Sequence, residues 1–316
     1  MKAKRVAGVL TTLLTVFGVL CGAESARAKD MRVLCTTFPI YQITRNVAQG
    51  RQGVDVKLML PASLGCPHHY SLTPQDMRKL ARADVLVVNG LGMEEFLGAP
   101  VKKANPRLRV ANSSQGIEGL LPYAGGHRRR EHRHDDHARQ HRSGVNSHLF
   151  ASPRMTALLA ENIAVGLSKA DPDGADVYAR NAKAYAAKMN ALADEMAALV
   201  KTLKNNRIVQ PHGAFDYLAR DIGLEIVAVT QPHGQEPSAA EMLKLIETIR
   251  EKKAGAVFTE PQYASKVGQT LGRETGIPTA VLDPAASGPD DAPLDYYEDV
   301  MRKNKETLRA TLGVHE

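Results

Sequence analysis

Two runs of alternating strands and helices predict an α/β protein with two lobes, each a four-stranded parallel sheet flanked by helices. Short apolar segments alternate with helical segments once near the start of the chain and again near its end. A long apolar stripe separates these runs and predicts one connecting helix. Alternating strands and helices favour parallel sheets, because each parallel crossover needs a helix. We expect an N-terminal lobe over 29–170, a linking helix over 171–206 and a C-terminal lobe over 207–316.

The first run supplies the elements of the N-terminal lobe. Its apolar segments are short, which favours strands, and amphipathic stretches lie between them. The predicted strands are Met31–Thr36, Val54–Leu60, Asp84–Asn89 and Leu108–Ala111. The predicted helices are Tyr41–Ala48, Pro74–Ala81, Met93–Lys103 and Pro153–Leu167.

An apolar stripe predicts the helix that joins the lobes. Asp171 is a favourable N-cap, and Pro172 suits the first helical position. Apolar residues then recur in steps of four and three, on one face of a helix of about 30 residues, roughly 45 Å long. They are Tyr178, Ala182, Tyr185, Met189, Leu192, Met196, Leu199 and Leu203. A coiled coil would show the same stripe, but the flanking α/β runs favour a rigid helix packed along both lobes.

The second run repeats the pattern of the first. The predicted strands are Arg207–Gln210, Glu225–Thr230, Gly255–Thr259 and Thr279–Leu282. The predicted helices are His212–Ile222, Ser238–Lys252, Ser265–Gly276 and one near Asp295–Leu312. Ser238 and Glu241 have the spacing of a capping box, which supports a helix start there.

The first 28 residues have the features of a signal peptide. A basic start is followed by the apolar segment Val6–Leu20 and by Ala26-Arg27-Ala28, which fits a cleavage site. The apolar segment is short for a membrane span. A lipoprotein acylated at Cys21 is the less favoured alternative, because Leu20 stands where a small residue is needed. We therefore expect export to a bacterial periplasm.

Most of the formal charge of +7 lies outside the segments that we expect to fold. Much of it lies in the predicted signal peptide and in a tract rich in His and Arg within 126–143. A nucleic-acid-binding domain would instead spread positive charge over a folded face. The composition therefore excludes a nucleic-acid partner from our expectations.

Two cysteines, Cys35 and Cys66, remain after the predicted signal peptide. Cys35 lies near the end of the first predicted strand, and Cys66 lies in the loop after the second. In an oxidising compartment they could form a disulfide. Alternatively, Cys66 could be a soft metal ligand or a buried thiol. Spacing alone does not choose between these three interpretations.

Three histidines lie where predicted strands end or predicted helices begin. They are His68, His148 and His212. In open α/β sheets this edge is where ligands bind. Their separations are far too long for a zinc finger, and each histidine alone could be an ordinary surface or core residue. Together they are candidate ligands of one metal ion.

Five segments in order resemble the zinc- and manganese-binding proteins of bacterial ABC importers, in particular the zinc-binding (ZnuA) type. The first is GCPHHYSLTPQDMRKLARADVLVVNGLGMEEFL, similar to the family's P-H-x-Y segment and the strand after it. NSHLFASP resembles N-P-H-x-W-L-D-P, and PHGAFDYLARDIGL resembles H-D-A-F-x-Y-x-x-x-x-G-L. EPSAAEMLKLIETIREKKAGAVFTEPQ and TAVLDP match later segments. Together they span nearly the whole predicted mature chain.

The resemblance implies a metal site in the cleft between the lobes, with His68, His148 and His212 as ligands. Asp283 is the candidate fourth ligand, although it could equally brace its loop or leave the position to water. Glu260 is expected to orient a histidine from behind, and His69 to be a surface neighbour. The chain departs from the family pattern at Ser147, Phe150 and Ser152, which stand for proline, tryptophan and aspartate, and Cys66 and His69 are atypical.

The ligand chemistry favours zinc as the transported ion. Three imidazoles suit Zn(II) better than Mn(II), which prefers oxygen, and manganese-binding relatives resemble one another in a carboxylate at the position of His212. The resemblance implies a monomer that delivers zinc to a membrane permease. The alternatives are a manganese-binding homologue or adhesin, and a zinc hydrolase, for which the sequence offers neither H-E-x-x-H nor a nucleophile elbow.

The tract within 126–143 is a second candidate for metal binding. It holds His127, His132, His134, His137 and His141 and almost no apolar residue, so we expect it to be disordered. A solvated charged loop would have the same composition. Zinc-importer relatives resemble this chain in carrying a His-rich loop between the first two ligands, which implies weaker secondary zinc sites here.

Overall fold

The computed structural model describes residues 30–67, 70–123, 144–231, 236–262 and 266–315. The predicted signal peptide and the His-rich tract lie outside these residues. No helix in the described ranges is both long and apolar enough to span a membrane.

The N-terminal lobe is built on a parallel sheet. Its strands are β1 (Met31–Cys35), β2 (Val54–Leu58), β3 (Val85–Val88) and β4 (Arg109–Asn112). Its helices are α1 (Phe38–Val47), α2 (Pro74–Arg82), α3 (Gly98–Ala104) and α4 (Pro153–Ala170). The strand order is β2-β1-β3-β4. The chain therefore leaves β1 and β3 in opposite directions, and the crevice between their carboxyl ends is where such sheets bind ligands.

The C-terminal lobe repeats this topology. Its strands are β5 (Arg207–Gln210), β6 (Glu225–Val229), β7 (Ala256–Thr259) and β8 (Thr279–Val281). Its helices are α6 (Asp216–Ile222), α7 (Ala239–Glu251), α8 (Lys266–Thr275) and α9 (Tyr296–Leu312). The order β6-β5-β7-β8 is parallel throughout, so the crevice here lies between the ends of β5 and β7. The predicted fold of two four-stranded parallel sheets is confirmed.

Helix α5 (Ala175–Val200) joins the lobes and contacts α1 and α4 of the N-terminal lobe and α6 and α9 of the C-terminal lobe. The predicted apolar stripe is buried, and it belongs to one core cluster that includes residues of both lobes. The helix is shorter than predicted at its start, because Pro172–Gly174 forms a separate 3-10 turn. The carboxylate of Asp171 accepts hydrogen bonds from Arg51 and Tyr178 instead of capping the helix.

Two other predicted helices are divided in the structure. Met93–Lys103 becomes a 3-10 turn at Glu95–Leu97 followed by α3, and the break lies at Gly98, whose φ of 35° only glycine adopts readily. In the segment predicted as His212–Ile222, a 3-10 turn at Gly213–Phe215 precedes α6. His212 is therefore the extended residue before the turn, two positions after the last residue of β5.

Candidate metal centre

Cys66, His148 and His212 come together between the lobes. Their ligand atoms all lie within 4.8 Å of one another. Cys66 belongs to the loop after β2, His148 precedes α4, and His212 follows β5, so both lobes contribute. The rings of His148 and His212 meet edge to face, with centroids 5.1 Å apart. This grouping is the candidate metal centre.

His148 is fully buried and its ring orientation is set by Asn146. Oδ1 of Asn146 accepts a hydrogen bond from the backbone N–H of His148 at 2.9 Å and lies 2.8 Å from Nδ1 of its ring. Because Oδ1 can only accept, Nδ1 carries the proton, which makes Nε2 the nitrogen that can bind a metal. Tyr123 stacks on the same ring at 6.4 Å between centroids.

His212 is held against the carboxylate of Glu260, which lies just after β7. Nδ1 of His212 is 2.8 Å from Oε1 of Glu260, and the carboxylate side chain is only 1% exposed. Burial lowers the pKa of His212, but contact with Cys66 and Glu260 outweighs it and raises the pKa to about 10. At neutral pH a metal must therefore displace a proton from His212 in order to bind.

Cys66 is a free, partly buried thiol next to His212. Burial raises the pKa of this thiol, while its hydrogen bond to His212 acts in the opposite direction. Cys35 is also free and wholly buried in the core. The structure therefore contradicts the interpretation in which Cys35 and Cys66 form a disulfide. Of the three interpretations, that of Cys66 as a soft metal ligand matches its position.

Some predicted site residues lie outside the described ranges. His68 and His69 are among them, as is the whole His-rich tract with His127, His132, His134, His137 and His141. Their assignments as first ligand, surface neighbour and secondary metal sites stay predictions.

Asp283 is not part of the group formed by Cys66, His148 and His212. Its Oδ1 accepts a hydrogen bond from the backbone N–H of Ala285 at 2.8 Å, an Asx turn that supports the positive φ of Ala285. The backbone of Asp283 is bound in both directions by the amide of Asn304. These contacts are those of a residue that braces its loop, the alternative considered for it from the sequence.

Asn146 joins the two lobes at the metal centre and was not predicted as a site residue. Its Nδ2 donates to the backbone oxygen of Gly213 at 2.5 Å and to Oδ2 of Asp216 at 2.8 Å. Its backbone oxygen accepts from the hydroxyl of Tyr217. One side chain thus orients His148 and holds the residue after His212. In the sequence, the only indication of this role is that Asn146 lies two residues before the candidate ligand His148.

Ser147 and Ser152, which depart from the family pattern in the loop of His148, both make contacts that support this loop. Ser152 caps α4 through the backbone N–H of Met155 and donates a hydrogen bond to Asp221 of the C-terminal lobe at 2.5 Å. The backbone oxygen of Ser147 accepts a hydrogen bond from Nδ2 of Asn89 at 3.0 Å, at the end of β3. The loop that presents His148 is therefore fixed from both lobes.

Comparison with known proteins identifies the family of this chain. The family described as "Zinc-uptake complex component A periplasmic" matches residues 33–311. The zinc-binding protein AdcA of Streptococcus pyogenes serotype M6 is 32% identical over 97% of this chain and 61% of its own length. The chain thus spans about three fifths of the AdcA relatives that it matches.

Two further relatives match over most of their own length. The high-affinity zinc uptake system protein ZnuA of Bacillus subtilis is 30% identical over 93% of this chain and 91% of its own. A crystal structure of ZnuA is 26% identical to this chain and superposes with a TM-score of 0.73. The match covers 90% of this chain and 100% of the ZnuA chain. With a family match over nearly all of the described residues, the chain belongs to the zinc-uptake component A family of periplasmic proteins.

Proposed function

We propose that this chain is the solute-binding component of an ABC importer, which captures Zn(II) in the periplasm and delivers it to a membrane permease. The observation that carries the proposal is the meeting of His148 and His212 from opposite lobes, each with one ring nitrogen held by a polar partner. Once the metal has displaced the proton of His212, imidazoles oriented in this way are good zinc ligands. Family membership and the names of the zinc-binding relatives support the same ion.

In this proposal, both lobes contribute ligands to the metal ion. His68, by resemblance, and His148 bind from the N-terminal lobe, and His212 binds from the C-terminal lobe. Asn146 keeps Nε2 of His148 available, and Glu260 holds the ring of His212 and balances part of the charge of the ion. A metal bound by both lobes stabilises their contact, and separation of the lobes by the permease would release it.

Delivery of zinc to a permease requires that the chain be exported and that it bind a membrane protein. The signal-peptide pattern supports export with cleavage near residue 28, and acylation at Cys21 remains the lesser alternative. The partner is a membrane permease, and the chain acts as a monomer. Growth in low zinc that depends on this chain and on a membrane permease would support this assignment.

The alternatives have less support. A zinc hydrolase would need a position open to water and substrate, whereas the described ligands are mostly buried and the family is one of uptake components. A manganese site would contain mainly oxygen ligands, whereas the described cluster contains two imidazoles and a thiol.

Calorimetric titration of metal-free protein with Zn(II) tests the proposal. We expect a tight site that is weakened more than about a hundredfold in His212→Ala, since changes to the residues behind a ligand already cost 10- to 100-fold. The control is His315→Ala, which removes an exposed histidine near the C-terminus. Equal tight binding by His212→Ala, or full displacement of zinc by equimolar Mn(II), would refute the proposal.

A further inference from the structure

The donor atoms between the lobes include one that the zinc-site assignment from the family pattern does not use. Among the described residues, the metal-ligating group consists of two histidines and Cys66, all within 4.8 Å of one another. Donors on a tetrahedral zinc ion stand about 3.5 Å apart, given Zn–N near 2.0 Å and Zn–S near 2.3 Å. A contraction of about 1 Å would bring all three onto one ion.

The backbone brings Cys66 into this position. Gly65 has a φ of 74°, and a Cβ there would lie 3.2 Å from Cγ of Gln262 in the C-terminal lobe. Nε2 of Gln262 is in turn held by Oγ of Ser287 at 2.6 Å. Because a side chain at position 65 would be both strained and crowded, the glycine lets the loop lie against the C-terminal lobe. The next residue, Cys66, then reaches His212.

A buried carboxylate next to this cluster is suited to a cation in the cleft. Glu260 is 2% exposed, and its Oε2 has no hydrogen-bond partner among the described residues. A buried carboxylate oxygen without a partner is costly unless a positive charge lies close by. In the metal-free protein the imidazolium of His212 supplies that charge to Glu260. A divalent ion that displaces the proton of His212 supplies it in turn, and its second charge can be balanced by one anionic ligand. Asp283 is outside the group and its carboxylate is used by its own loop.

We propose that Cys66 binds the metal as a thiolate, alongside His148 and His212. As the metal–sulfur bond forms, the thiol proton is released to the buffer. The inference rests on the proposed zinc site and defines its chemistry: a sulfur ligand makes the site selective for zinc and cadmium over manganese, which prefers oxygen.

Cobalt substitution tests this directly, because thiolate coordination to Co(II) produces a charge-transfer band in the near ultraviolet. We expect the band in the cobalt-loaded wild-type protein and its loss in Cys66→Ser. Cys35→Ser is the matched control and keeps the band, since Cys35 lies in the core. The wild-type spectrum is informative even if a variant fails to fold.

The outcomes separate this inference from the proposed function. Tight cobalt and zinc binding without a thiolate band in the wild-type protein overturns the role of Cys66 and leaves the zinc site intact. Absence of tight binding of either ion overturns both. As a second readout, we expect Cys66→Asp to lower the ratio of zinc affinity to manganese affinity by at least about tenfold, because an oxygen replaces the soft ligand. An unchanged ratio would contradict the proposed selectivity.

Discussion

Asn146 connects the ligands of the two lobes through one amide. Its oxygen orients the ring of His148, and its nitrogen holds Gly213, the residue after His212. We expect Asn146→Ala to weaken zinc binding by about tenfold to a hundredfold, the usual cost of losing a residue that orients a ligand. The variant also leaves the buried Nδ1–H of His148 without its acceptor, at a cost of about 1–3 kcal/mol. Calorimetric zinc affinity measures the effect.

Asn181 provides a control for this experiment. Its amide also donates to two backbone oxygens, those of Val47 and Gln49, but it lies on α5 away from the cluster. Asn181→Ala should lower the melting temperature and leave zinc affinity unchanged. If Asn146→Ala bound zinc as tightly as the wild-type protein, its orienting role would be refuted.

The sequence predicted two of the clustered ligands but not the contacts that orient them. His148 and His212 stand at the ends of elements, where spacing and resemblance identify them. The contact of Asn146 with Gly213 joins residues 67 positions apart, so it depends on tertiary structure that a local pattern does not contain. For Cys66 the sequence left three interpretations open, because the depth of its loop in the cleft depends on both lobes.

At the scale of elements, the start of α5 depends on a cluster around Asp171. Nε and Nη2 of Arg51 donate to the two oxygens of Asp171 at 2.8 and 2.9 Å, and the hydroxyl of Tyr178 donates at 2.6 Å. The cluster joins the turn between α1 and β2, which contains Arg51, to the junction of α4 and α5. The competition for this carboxylate explains why the helix begins three residues after the predicted first position.

Asp171→Asn should destabilise the protein at neutral pH. Hydrogen bonds from Arg51 lower the pKa of Asp171 below its usual value. A carboxylate with a lowered pKa in the folded state stabilises the protein above its unfolded pKa, about 3.9, and this contribution is lost as pH falls through the folded pKa. The difference in melting temperature between wild type and Asp171→Asn should therefore be largest near pH 7 and shrink below about pH 4.

The exposed neighbour Asp173 is the matched control, since it carries the same charge on the same turn. Asp173→Asn should have little effect on the melting temperature at any pH. A difference for Asp171→Asn that stays constant down to pH 2 would show that the ion pair is not its cause.

At the scale of the whole molecule, the lobes share one apolar core. The cluster contains Val33 and Cys35 of the first sheet, Ile208 and Phe258 of the second, and the buried face of α5. Polar contacts add to it, with Arg45 and Asn46 of α1 donating to backbone oxygens near residue 292. This extended contact favours small lobe movements.

The architecture was more predictable than the site. Eight short apolar segments and an apolar stripe with steps of four and three were enough for both sheets and α5, because the burial of strands and of one helix face leaves a strong periodic pattern. Element boundaries shifted where side chains competed with caps, as at Asp171, or where a glycine broke a helix, as at Gly98.

Deletion of Gly126–Arg142 should reduce the number of zinc ions bound per chain. The tract supplies five imidazoles, which bind zinc, and it lies apart in sequence from the residues of the cluster. We expect calorimetry to show loss of weaker sites with the tight site retained. A variant with these histidines replaced by glutamine keeps the length and the arginines, and it should behave like the deletion. Unchanged stoichiometry in both variants would refute secondary binding.

The complete burial of His148 has a consequence for how fast the cargo can leave. A chelator in solution cannot reach this ligand, although Cys66 and His212 are partly exposed. The bond from His148 to the ion therefore breaks only when the protein opens, at a rate that does not increase with chelator concentration. Zinc held in this way would be kept from competing thiols in transit, and the step that parts the two lobes would decide when it is handed over.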